Sequence, residues 1–331
     1  MNINKIAELA GVSRATVSRY LNQGYVSEEK KRRIRQVIEE TGYKPSAQAQ
    51  MLRTRQTKLV GVILPKISSS SISRMVAGIS DIMKKEGYQI ILANTNNDIK
   101  EELEYLTLFK SNRVDGIIFI ATIFIRKHME ILSDYQIPVV ILGQCLKGYS
   151  CVYQDECHAA QSLTQILLRN GKKIGYIGVT TKDRAAGAER KRGFEKAIKE
   201  TGMICPQKYR RQASFEMSDG YEIAKELLIE NPELDSLFCA TDTLALGAMQ
   251  YAKQHGIAIP EKLQIVGIGD TPMGEVIEPA LTTIHFYYKT SGEEAGKLLT
   301  SMLKSGDIIR KEIKMGFEIC ERKSKIGRAH V

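Results

Sequence analysis

Apolar residues recur along this chain with two different periods, and the period changes near residue 58. In the first part Ile3, Ile6, Leu9 and Ala10 share one helical face, with Asn2 placed to cap it and Gly11 to end it. Ser13 is placed to cap a second helix over 14–21, with Ala15, Val17 and Tyr20 or Leu21 available for its inward side. After a polar loop at 22–26, Ser27 is expected to cap a third helix. Glu28 and Glu29 favour its positive N-terminal end, Ile34, Val37 and Ile38 form its buried side, and Gly42 stops it. Tyr43-Lys44-Pro45 then interrupts regular structure, and residues 46–54 are amphipathic but too few for a helix stable alone.

From Leu59 the pattern becomes short apolar runs, LVGVILP, QIILANT, DGIIFIA, PVVILGQ, IGYIGV, SLFCAT and LQIVGIGD. They are too short for helices and alternate with amphipathic stretches at 72–86, 99–112, 156–170, 188–201, 219–229 and 243–255. This alternation predicts βαβ units with parallel strands covered on both faces. A restart near Lys172, where KKIGYIGV plays the part of the earlier TKLVGVIL, points to two doubly wound α/β subdomains with a cleft between them.

Charge sharpens the division. The chain of 331 residues carries 48 basic and 38 acidic side chains. Residues 1–58 hold twelve basic and five acidic groups, a net of +7, whereas 59–320 hold 32 of each. A basic head on a neutral body is the electrostatic footprint of nucleic-acid binding by the head, with a solvated helical face as the plain alternative. The N-terminus lacks the plan of a signal peptide and no apolar run reaches membrane-spanning length, so a cytoplasmic protein without membrane contact is expected. The six cysteines show no metal-type spacing, which predicts free thiols and no metal. No GxGxxG after the first strand, GxxxxGK[ST], GxSxG or HExxH occurs, which argues against an enzyme such as a sugar-processing one and against any cofactor.

The segment IAELAGVSRATVSRYLN, 6–22, has the plan of a helix-turn-helix: small Ala7 and Ala10 at the crossing, Gly11 in the turn, Val12 beneath it and Val17 as anchor. Arg14, at the start of the second helix, is the best candidate for direct base readout, because arginine can donate two bonds to a guanine edge. Ser13, Thr16 and Ser18 suit phosphates, Ala15 a thymine methyl, and Arg19 and Asn22 extend the outward face.

These residues, followed by VSEE and GYKP, resemble the N-terminal domain of the LacI/GalR family of bacterial transcription regulators, and the remainder is similar to that family's periplasmic-binding-protein-like ligand domain. The resemblance implies a dimeric repressor reading palindromic operator DNA, with no resident cofactor. Its boundaries would be a DNA-binding domain at 1–44, a hinge at 45–58 and a two-lobed sensor at 59–323. The tail at 324–331 ends in IGRAHV, which reads like a translated sequencing-adapter frame, and is set apart as a candidate artefact. Tyr43, Leu52 and Arg53 would add DNA contacts, Leu52 as a minor-groove wedge. Lys5, Ser46 and Gln50 depart from the family pattern.

In the sensor, Arg190 of GAERKRGF matches the family's RxxGF arginine, and Asp270 of GIGDT stands one place beyond the usual acidic position. Tyr153 falls where a stacking aromatic is common, and Ser69 and Ile72 lie in the loop after the first strand. Thr241 and Asp242 stand at the mouth of another strand, where Asp242 either meets ligand or caps the helix starting at Thr243. Within the family the chain resembles sucrose-operon repressors, which implies sucrose, a related sugar or a sugar phosphate as inducer. A regulator needing a purine or phosphoprotein corepressor is the alternative.

Overall fold

A computed structural model describes residues 1–22, 24–43, 56–111 and 114–327. They form two compact units, Met1–Thr57 and Lys58–Val331.

The first unit has three helices, α1 (Ile3–Leu9), α2 (Arg14–Leu21) and α3 (Glu28–Thr41). Asn2 caps α1 by accepting from the Lys5 N–H at 3.0 Å, and Ser13 caps α2 by accepting from the Thr16 N–H at 3.2 Å. Gly11 and Gly42 end the first and third helices with left-handed φ of 61°, which their missing Cβ makes cheap. Ser27 differs from expectation: its side chain makes no capping bond, and Glu28 and Glu29 provide the negative charge at that end. Ile6, Val17 and Ile34 are fully buried at the centre, with Ala7, Ala10 and Val26 around them.

The second unit contains two parallel sheets. The larger is built from β1 (Leu59–Leu64), β2 (Gln89–Asn94), β3 (Gly116–Phe119), β4 (Val139–Leu142), β5 (Ser150–Gln154) and β11 (Glu312–Met315), in the order β11-β5-β4-β3-β1-β2. The smaller holds β6 (Ile174–Gly178), β7 (Arg210–Gln212), β8 (Ser236–Cys239) and β9 (Gln264–Val266), in the order β7-β6-β8-β9. An antiparallel pair, β10 (Thr283–Phe286) with β12 (Phe317–Cys320), accompanies them.

Strand periodicity explains the cores. Val60, Val62, Leu64, Ile118, Val140 and Val152 face one cluster, while Ile63, Ile117, Phe119, Ile141 and Cys151 face another, so both sides of the larger sheet are apolar. The first lobe carries α4 (Ser70–Lys85), α5 (Ile99–Ser111) and α6 (Arg126–Ser133). The second carries α7 (Glu156–Leu167), α8 (Arg190–Glu200), α9 (Met217–Glu230), α10 (Asp242–Gln254) and the short α11 (Pro272–Val276). The chain then returns through α12 (Tyr288–Ser305), which packs on α4, and adds β11 to the first sheet. The two helix backbones approach so closely that a Cβ on Gly78 would lie 2.0 Å from the Lys289 carbonyl oxygen, and one on Gly292 2.0 Å from that of Met75.

The chain end corrects the expected boundary at 323. Ser324 is fully buried, its N–H donates to the Ala280 carbonyl at 2.9 Å and its carbonyl accepts from Ile265 at 2.9 Å. Lys325 is buried and paired with Glu321 at 2.9 Å, and the Ile326 N–H reaches Gln264 Oε1 at 3.0 Å. The fold therefore includes Ser324, Lys325 and Ile326. Positions 328–331, and most of the expected hinge at 45–58 with Leu52 and Arg53, lie outside the described residues.

All six cysteines are free. Among the described residues no helix is long and apolar enough to cross a membrane, and no group of three acidic, histidine or cysteine side chains could hold a metal.

Candidate nucleic-acid interface and effector cleft

The start of α2 is closed by its own side chains. Besides the cap, the Ser13 and Thr16 hydroxyls lie 2.9 Å apart, so both have a local partner while Ser13 remains exposed. Arg14, Ala15 and Arg19 are exposed, and neither arginine side chain has a hydrogen bond or ion pair among the described residues. Their guanidinium donors are therefore available to an outside acceptor. Thr16 and Ser18 are half-buried at the edge of this surface. Asn22 turns back, donating through Nδ2 to the Ser18 carbonyl, and so closes the C-terminal end of α2. Tyr43 packs half-buried against the three-helix core.

The second unit holds a cavity of about 430 Å³ at the carboxyl ends of the strands, between the lobes. That is where open parallel sheets bind ligands, and the volume is within the small-molecule range. Ser69, Ile72, Arg190, Thr241 and Asp242 line it together. Tyr153 and Asp270 do not. Side chains alternate along β5, so Tyr153 packs against the outer cluster while the next residue, Gln154, lines the cavity. Asp270 accepts instead from Arg322 at 2.7 Å and pairs with His285 at 2.8 Å. Burial opposes its charge, but these two partners hold its carboxyl below the ordinary value.

Arg190 is 4% exposed and stands where a π-helical turn, Arg184–Glu189, passes into α8. It grips Glu156 with two bonds, Nε at 2.6 Å and Nη2 at 3.1 Å, and donates through Nη1 to the Ala240 carbonyl at 2.6 Å. Three of its five N–H donors thus belong to the protein. Burial disfavours its charge, yet the Glu156 carboxylate more than compensates and raises its pKa.

Thr241 caps α10 by accepting from the Leu244 N–H at 3.2 Å, so the helix starts at Asp242 and not at Thr243. Asp242 braces two other segments, accepting from the Thr283 hydroxyl at 2.5 Å and the Thr271 N–H at 2.8 Å. Burial pushes its carboxyl upward. Asp183, which the sequence reading passed over, also lines the cavity and accepts from the Ala186 N–H at 2.9 Å; burial raises its carboxyl to about 6.

Three contacts tie the lobes across the opening. Lys66 pairs with Glu216, Arg74 Nη2 donates to the Gly269 carbonyl at 2.6 Å, and Arg184 donates to the Cys145 carbonyl at 3.2 Å. Arg74 also stacks 5.0 Å above the Tyr288 ring. No sequence motif marked Gln154, Glu156 or Arg74, although strand alternation from Val152 would have placed Gln154 on the inner face.

A capped helix-turn-helix unit in one chain with a two-lobed unit built around a ligand-sized cleft defines a ligand-responsive DNA-binding regulator. Residues 2–46 match the family model of bacterial regulatory proteins, lacI family, and residues 164–325 that of a periplasmic binding protein-like domain. A sucrose operon repressor from Staphylococcus xylosus is 33% identical over 304 residues, covering 92% of this chain and 94% of that protein. A ribose operon repressor from Bacillus subtilis (strain 168) is 32% identical, covering 97% and 98%. The structure of transcription regulator CcpA of Lactococcus lactis has a TM-score of 0.73 at 28% identity, covering 81% of this chain and 99% of that one. The lac repressor dimer bound to operator and the anti-inducer ONPF shares the fold, with a TM-score of 0.89 at 20% identity over 99% of each chain. The chain belongs to the lacI family of bacterial regulatory proteins: it is a DNA-binding transcriptional repressor and not an enzyme.

Proposed function

We propose that this repressor controls a carbohydrate operon in the cytoplasm, binds palindromic operator DNA as a homodimer, and is released by an uncharged sugar, sucrose or a close relative. Ser13, Arg14, Ala15, Thr16, Ser18 and Arg19 of α2 are the DNA-reading surface, with Asn22 and Tyr43 supporting it; Leu52 and Arg53 add contacts from the linker. Ser69, Ile72, Arg190, Thr241 and Asp242 belong to the effector site, and the linker at 45–58 couples it to the DNA-binding domain at 1–44.

The observation that carries the uncharged effector is the charge pattern of the cleft. Arg190 is committed to Glu156, Lys66 to Glu216, and Arg74 to the carbonyls of Ser70 and Gly269. With Asp183 and Asp242 the lining holds four acidic side chains against three basic ones, so it offers a phosphate no surplus of positive charge. A polyhydroxylated neutral ligand suits this lining better than a sugar phosphate. Names of relatives that include sucrose and ribose operon repressors support the same class.

Effector and operator should weaken each other reciprocally, typically by about 1–3 kcal/mol. Operator DNA selected from a random pool provides the test. Release of the bound DNA by sucrose or another neutral sugar fits the proposal. DNA binding that begins only after a purine or a phosphoprotein is added replaces it with the corepressor reading.

A further inference from the structure

Among the described residues, the buried charged groups of the cleft are all committed to the protein. Glu156 and Arg190 hold each other, Asp242 holds Thr283 and Thr271, and Thr241 caps its helix. Gln144, at the end of the neighbouring strand, is 5% exposed and spends its amide on the Ala121 carbonyl. Gln154, at the end of β5, is 4% exposed and lines the same cavity, yet its Nε2 has no hydrogen-bond partner among the described residues. Thr271 Oγ1 is similarly without one, but that hydroxyl lies beside the Asp242 carboxylate and can turn to it. A buried amide nitrogen left unpaired is uncommon because it forfeits its bonds to water and gains none.

We propose that Gln154 is a specificity-determining residue of the effector site, its N–H group donating to a hydroxyl or ring oxygen of the ligand. The idea rests on the sugar reading for the ligand's chemical class, and on the orphan donor alone for the residue. A site with a buried donor discriminates strongly against a ligand that lacks the matching acceptor, because that donor then stays unpaired. Its neighbour Tyr153, on the opposite face of the strand, has no such part.

The experiment uses the full chain and the substitution Gln154→Met, which keeps the length of the side chain and removes its donors. Sucrose, ribose, cellobiose, glucose 6-phosphate and guanine are titrated calorimetrically into the unaltered protein and the variant, and both are melted without ligand. The expected result is a ligand-free melting temperature unchanged or higher in the variant, with affinity for the bound compound lowered about tenfold or more. A lower ligand-free melting temperature would show that the amide holds the fold, and equal affinity would show that it does not touch the ligand; either overturns the proposal. If guanine binds and Gln154→Met weakens it, the sugar reading falls and Gln154 stands. If a sugar binds both proteins equally, the sugar reading stands and Gln154 falls.

Discussion

Arg14 and Arg190 carry the same side chain in opposite circumstances. Arg14 is exposed with no partner among the described residues, whereas Arg190 is buried, bonded twice to Glu156 and once to a backbone carbonyl. The first keeps its hydrogen-bonding capacity for another molecule. The second has committed most of its capacity to the fold and presents an organised remainder to the cleft. Removing Arg14 should therefore cost recognition, while removing Arg190 should cost structure first and recognition with it.

The largest expected effect tests the buried member. Arg190→Ala leaves the Glu156 carboxylate buried without its cation and should destabilise the second unit by about 3–5 kcal/mol, read from urea unfolding of that unit. Replacing both partners, Arg190→Met with Glu156→Leu, should recover most of the loss, because an apolar pair of similar size has no stranded charge. If Arg190→Ala unfolds like the unaltered protein and loses only its response to sugar, the pair is not structural and the contrast with Arg14 fails.

Asp183 sharpens the same contrast from the acidic side. Burial raises its carboxyl from 3.8 to about 6, so the folded protein prefers the protonated form. That preference contributes stability fully below about pH 4 and loses it as pH rises through about 6, for a total of about 2–3 kcal/mol. Asp183→Asn keeps the acceptor for the Ala186 N–H and removes the titration. Subtracting the stability of the variant from that of the unaltered protein between pH 4 and 7 should give a falling curve that levels off near neutrality. A flat difference would mean that the site leaves Asp183 ionised at low cost.

What could be read in advance follows how local the determining forces are. The first unit was legible almost residue by residue, since Asn2, Ser13, Gly11 and Gly42 act on backbone groups within a few positions of themselves. The alternation of strands and helices was legible for the same reason, with the stretch anticipated at 243–255 found at Asp242–Gln254. The return of α12 and β11 to the first lobe was not, because pairing Glu312 with Cys151 depends on contacts 161 positions apart. β7, with the sequence RRQ, has no apolar pattern to announce it. In the cleft, motif matching found Arg190 but not its partner Glu156, and chose Tyr153 where a one-residue alternation presents Gln154. Asp270 was drawn away by Arg322 and His285, both remote in sequence.

The smallest expected effect concerns the exposed arginine. Arg14→Ala should leave unfolding of the first unit within about 0.5 kcal/mol of its original value, since no contact of the fold depends on that side chain. Specific operator binding should weaken by about 1–3 kcal/mol, with base preference relaxed at one position of each half-site. A phosphate-bound arginine behaves differently: its loss weakens all DNA about equally and lowers the salt dependence of binding. Measuring the variant on operator and on unrelated DNA across several salt concentrations separates these cases. Equal loss on both DNAs would assign Arg14 to the backbone, and α2 would then have to read bases through Ala15, Thr16, Ser18 or Arg19 instead.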